Sequence, residues 1–127
     1  MPIQRNAEIA AEFLSMSASG KVREAYERYV AASFTHHNAY FPADRESLLV
    51  AMEQSAKSDP NKSFTVKQVI DSGDLVAVFS HLRRVQANKE YAVVHILRFD
   101  GSMIVEMWDI SQEIPGDSPN ALGTFYS

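Results

Sequence analysis

Two residues stand out for the chemistry they could carry. Asp109 lies in Met103-Ile104-Val105-Glu106-Met107-Trp108-Asp109-Ile110, and His95 lies in Tyr91-Ala92-Val93-Val94-His95-Ile96-Leu97. Each interrupts a nearly all-apolar run. A carboxylate in such a run either points to water or is buried with a partner, because a lone buried charge costs too much. If buried, desolvation raises its pKa, which suits it to moving protons near neutral pH. The plain alternative for Asp109 is a solvent-facing residue at a sheet edge. For His95 it is a satisfied core histidine, the commoner fate of a single His in an apolar strand.

Whether the two meet depends on the hairpin at Asp100-Gly101. A three-residue loop, Asp100 to Ser102, pairs Phe99 with Met103. His95 then stands opposite Met107 and Asp109 opposite Val93, all on one face. A two-residue loop puts His95 and Asp109 on opposite faces. Parity favours the longer loop, since Tyr91, Val93, Leu97, Phe99, Met103, Val105 and Met107 then line one interior.

The other histidines are less constrained. His81, in Phe79-Ser80-His81-Leu82-Arg83-Arg84, fits a half-exposed strand position as well as a pocket position. His36-His37-Asn38 follows a helix end, where backbone groups need polar partners. Adjacent residues diverge in regular structure, so at most one of these histidines points inward. Three histidines and a carboxylate could in principle hold a metal. There is no HxH, no HExxH and no carboxylate pair, so no metal is expected. Nucleotide-binding GxGxxG or GxxxxGK and the hydrolase GxSxG are absent too. Arg83-Arg84 reads as solvated surface.

The elements that must position these groups come from a chain of 127 residues, read as one domain over 1–127. It has no cysteine, which excludes disulfides, thiolate metal sites and a cysteine nucleophile. Lys and Arg number 12 against 16 Asp and Glu, a net charge of -4 that argues against a nucleic-acid partner. No run approaches the about 18 apolar residues of a membrane span, and Met1-Pro2-Ile3-Gln4-Arg5-Asn6 has no leader layout. A soluble, cytoplasmic protein without membrane contact is the expectation.

Ile9, Phe13 and Met16, with Ala10 and Leu14, recur at helical spacing over 3–18. Ser19 is placed to cap a second helix carrying Val22, Ala25, Tyr26, Tyr29 and Val30. Residues 33–43 read as irregular. Asp44 caps a third helix with Leu48, Leu49, Met52 and Ala56 inward, ended by Ser58-Asp59-Pro60-Asn61. From Phe64 the period changes to two, predicting strands over 64–70, 75–85, 91–99 and 103–114. Their short connections make them antiparallel neighbours. Helices first and a strand meander after is an α+β pattern, with helices packed on one face of a long, curling sheet.

Three segments resemble a known family. Phe34-Thr35-His36-His37-Asn38 is similar to its aromatic-x-x-His-Asn element, with His37 the matching histidine. Gly73-Asp74-Leu75-Val76-Ala77-Val78-Phe79 is similar to its Gly-Asp-x-Val-Ala-Val strand, and Arg98 to Gln112 to its closing hairpin, usually ending Ile-Val-Glu-His-Trp-Asp. The tail from Pro119-Asn120 to Phe125 is similar too. On these residues, over essentially the whole chain, the sequence resembles the SnoaL-like branch of the NTF2-like superfamily, small α+β cones that include polyketide cyclases and ketosteroid isomerases. The resemblance implies a cone with an internal pocket and a homodimer. It also implies cofactor-independent acid–base chemistry, aldol condensation or isomerisation, on a small apolar carbonyl compound. Asp109 is then the general acid/base, assisted by His95. His37, His81, Trp108, Phe34 and Tyr40 are the candidate substrate contacts. Met107 and Phe79 depart from the pattern, where His is usual or frequent, and make the expected pocket more apolar. A non-catalytic ligand-binding or dimerisation module of the same fold is the alternative.

Overall fold

β-Branched and aromatic residues at alternate positions suit a pleated, half-buried surface, and between Lys62 and Glu113 the chain folds as four strands. A computed structural model describes residues 5–125. The order is α1 (Asn6–Ala18), α2 (Val22–Tyr29), β1 (Val30–His36), α3 (Arg45–Ser58), β2 (Lys62–Asp71), β3 (Leu75–Arg84), β4 (Lys89–Asp100) and β5 (Met103–Glu113). The expected helix start at residue 3 and the first four residues of the leader reading lie outside the described residues. The sheet order is β1-β5-β4-β3-β2. Strands β2 to β5 form the expected antiparallel meander, and the helices precede it, an α+β fold.

β1 is the element that sequence reasoning missed. Val30 was expected to end the second helix and residues 33–43 to be irregular. Instead α2 stops at Tyr29, and the chain runs on as a strand parallel to β5. Ala31-Ala32-Ser33 has little strand propensity, and the register shifts between Val30 and Thr35. Ser19 also differs from expectation. Its hydroxyl donates to the Met16 carbonyl at 2.9 Å, closing α1, while Lys21 starts α2 with no side-chain cap. Asp44 does cap α3: its carboxylate accepts from the Ser47 N–H at 2.9 Å and from the Ser47 hydroxyl at 2.7 Å. Those bonds pull its pKa down.

The core lies between the helices and one face of the sheet. Ile9 and Phe13 of α1, Tyr26 of α2 and Leu48 and Leu49 of α3 meet Val76, Val78, Leu97, Phe99, Ile104 and Met107. Each large side chain buried there contributes about 1.5–3 kcal/mol. Burial also pushes the Tyr26 hydroxyl pKa well up.

The β4–β5 hairpin corrects the expected register. Asp100 pairs with Met103, so the turn has two residues, with Gly101 at φ 61°. Phe99 pairs with Ile104, but Arg98 pairs with Glu106, leaving Val105 as an extra residue. A two-residue turn alone would set His95 and Asp109 on opposite faces. The bulge at Val105 adds one residue and restores parity, so that His95 stands directly opposite Asp109. Ile104, set opposite Phe99 by the two-residue turn, is fully buried.

Candidate functional site

Neighbouring strands bring His95 and Asp109 together. Side chains directly opposite on an antiparallel pair sit close, with Cβ atoms about 5 Å apart. Here Nε2 of His95 lies 3.6 Å from Oδ1 of Asp109, with side chains 12% and 22% exposed. That gap is longer than a hydrogen bond. Nδ1 of His95 is buried with no partner among the described residues. Burial pushes the His95 pKa down, opposed by the Asp109 carboxylate, so the ring favours its neutral form. Phe64 of β2 packs against that ring at 6.3 Å.

The second carboxylate oxygen of Asp109 is held from the loop after β1. Asn38 Nδ2 donates to Oδ2 at 2.8 Å, and Asn38 Oδ1 accepts from the Tyr40 N–H at 3.0 Å. The second bond fixes which way the amide faces. The Asn38 N–H donates to Nδ1 of His36 at 3.0 Å. Nε2 of His36 therefore carries the proton, donated to the Pro42 carbonyl at 2.6 Å. His36 is thus a buried post that shapes the loop presenting Asn38.

Adjacent histidines diverge as expected. His37 is exposed, stacks on Trp108 at 4.9 Å and bonds Glu106 Oε2 at 2.6 Å. Glu106 also accepts from Arg98 at 2.9 Å, and His37, then Arg98, hold its pKa below the usual carboxylate range.

Asp109 and His95 line a pocket of about 510 Å³, walled by Met52, Phe64, Leu82 and Val93, with His37 and Tyr40 also among its lining. Tyr40 is 88% exposed, so it stands at the mouth. Three expected contacts lie elsewhere. Trp108 alternates with Asp109 and so takes the other face of β5, against His37. His81 bonds Glu90 at 2.7 Å and stacks on Phe125 at 4.6 Å. Phe34 is buried in the core against Tyr26. Nor do Met107 and Phe79 make the pocket more apolar: Met107 is in the core and Phe79 packs on Phe125. Asn38 is a polar pocket residue that sequence reasoning passes over, although it lies in the aromatic-x-x-His-Asn element. No group of three His, Asp or Glu side chains converges among the described residues, and no helix among them is long and apolar enough to cross a membrane.

A model of the SnoaL-like domain family matches residues 10–107. No curated protein sequence matches the chain. Among solved structures, the chain is similar to wild-type IdmH from Streptomyces antibioticus, a candidate polyketide cyclase, at 22% identity and TM-score 0.74, covering 86% of this chain and 93% of that one. It is similar to another candidate polyketide cyclase, from Bacillus cereus, at 22% identity and TM-score 0.71, covering 83% and 72%. An NTF2-like protein of unknown function from Cytophaga hutchinsonii gives 15% identity and TM-score 0.70, covering 88% and 95%. These likenesses establish the NTF2-like fold.

Proposed function

The chain belongs to the SnoaL-like domain family of the NTF2-like superfamily, and from that premise we propose that it catalyses cofactor-independent acid–base chemistry on a small apolar carbonyl compound. One observation carries the reading: Asp109 has one oxygen tied to Asn38 and the other facing a neutral, buried His95 on the wall of a largely apolar pocket.

In this mechanism Asp109 takes a proton from the carbon α to a carbonyl. The C–H electron pair becomes the enolate double bond, and negative charge moves to the carbonyl oxygen. Nε2–H of His95 donates to that oxygen, worth most in a site that excludes water. Asp109 then returns its proton to another carbon, giving isomerisation. Alternatively, the enolate carbon attacks a second carbonyl of the same molecule, and the new alkoxide takes the proton, giving an aldol ring closure. Acid–base action of this kind is worth about 10²–10⁴-fold, with the rest from positioning.

The engaged Asp109–Asn38 bond equally favours a second reading, a ligand-binding module in which the carboxylate is structural. Deuterium uptake at carbon α of apolar ketones such as phenylacetone in D₂O separates the two. The enzyme reading expects uptake above the solvent rate with the wild-type protein and a fall toward that rate with Asp109→Asn. Uptake at the solvent rate across the ketones, with thermal stabilisation by them, assigns the module instead. The fold's resemblance also suggests a homodimer that covers Trp108 and Ile110; sedimentation as a monomer at micromolar concentration overturns that part.

A further inference from the structure

Across the sheet from Asp109, the pocket wall holds a cation that acid–base chemistry at Asp109 leaves unused. Lys62 opens β2, three positions from β5 in the sheet, and lines the same pocket as Ser55 of α3. Its ammonium donates to the Ser55 hydroxyl. The neighbouring acid, Asp59, is nearly buried and already accepts from Arg84 Nε at 2.6 Å. Lys62 therefore has no ion-pair partner among the described residues, although an ammonium offers three donors. Burial draws its pKa down, with Asp59 opposing and Arg84 adding. A half-buried cation without a counter-ion beside Phe64 and Leu82 is a site that a ligand anion completes.

We infer that Lys62, braced by Ser55, receives a carboxylate group of the pocket's ligand at the end remote from Asp109. One cation and one hydroxyl match a monoanion better than a phosphate dianion. The Asp109 carboxylate repels the same group, so the two ends of the pocket orient the ligand with its neutral carbonyl toward Asp109. The inference rests on the pocket being a ligand site, and not on proton transfer occurring there.

The test compares naphthylacetate with its uncharged amide, naphthylacetamide, by titration calorimetry. The wild-type protein binds the carboxylate about tenfold more tightly than the amide. Lys62→Met abolishes the preference and leaves the amide affinity unchanged, which also reports that the pocket is intact. Lys62→Arg keeps the preference. Equal affinities in the wild-type protein, no saturable binding of the carboxylate, or an undiminished preference in Lys62→Met overturns the inference. Asp109→Asn removes the like charge and so keeps or strengthens the preference while it lowers deuterium uptake, so the two readings fail separately.

Discussion

The side-chain amide of Asn38 donates to the carboxylate of Asp109 at 2.8 Å across 71 residues of sequence. It ties the loop after β1 to the last strand and leaves one oxygen of Asp109 for His95 and the pocket. Asn38→Ala removes the donor to a partly buried carboxylate. We expect a loss of about 1–2 kcal/mol in urea denaturation and at least an about tenfold drop in deuterium uptake. Asn38→Asp sets like charges together, which raises the pKa of the pair and shifts the pH profile of uptake upward.

Asp109→Asn keeps the size of the side chain and removes the carboxylate proposed as the base. Uptake at carbon α should fall by about 10²–10⁴-fold. Circular dichroism and the unfolding midpoint should stay near those of the wild-type protein, because the amide oxygen can still accept from Asn38.

Deletion of Val105 removes the bulge while leaving the two-residue turn. The strand beyond it must then slip by one, which turns either Asp109 and Met107 or Phe99 and Ile104 out of the interior. Met107 and Ile104 are both fully buried, so we expect a loss of at least about 3 kcal/mol of unfolding free energy in urea denaturation, or failure to fold. Val105→Ala keeps the residue count and should retain both the fold and the uptake.

His95 makes stability fall on acidification. Its pKa in the fold lies below the unfolded value of 6.5. Above about pH 6.5 both states hold a neutral imidazole and the full stability is present. As pH drops below that value, the unfolded chain takes up a proton that the fold refuses, and stability falls by at most about 1.4 kcal/mol per pH unit. His95→Gln should show a shallower loss between about pH 6.5 and about pH 5. Parallel slopes for the two proteins would contradict a neutral, buried His95.

Most of the sheet was legible because β2 to β5 alternate strongly and short turns leave antiparallel pairing as the only option. The shared face of His95 and Asp109 was legible through the same alternation. Its route was not, since a two-residue turn with a bulge and a three-residue loop give the same parity. β1 was hidden because Ala31-Ala32-Ser33 carries no strand pattern and its partner is the last strand of the chain. Asn38 and Lys62 escaped for a related reason. An asparagine after a helix reads as a loop cap and a lysine after Pro60 as a solvated charge. Only the tertiary fold sets one against Asp109 and the other in a pocket wall.

The pairing of β1 with β5 ends at His36 and Met107, with one further bond from the His37 N–H to the Met107 carbonyl. From Trp108 onward β5 has β4 as its only strand neighbour among the described residues. Asp109 therefore rides on a strip anchored along one side, and Asn38 is the fastening on the other. Amide hydrogens of β5 beyond Met107 should exchange earlier than those of Ile104 to Met107, and local opening there would carry Asp109 away from His95 without unfolding the core. The alignment of the two residues is then a population, one that a ligand bridging both strands would increase.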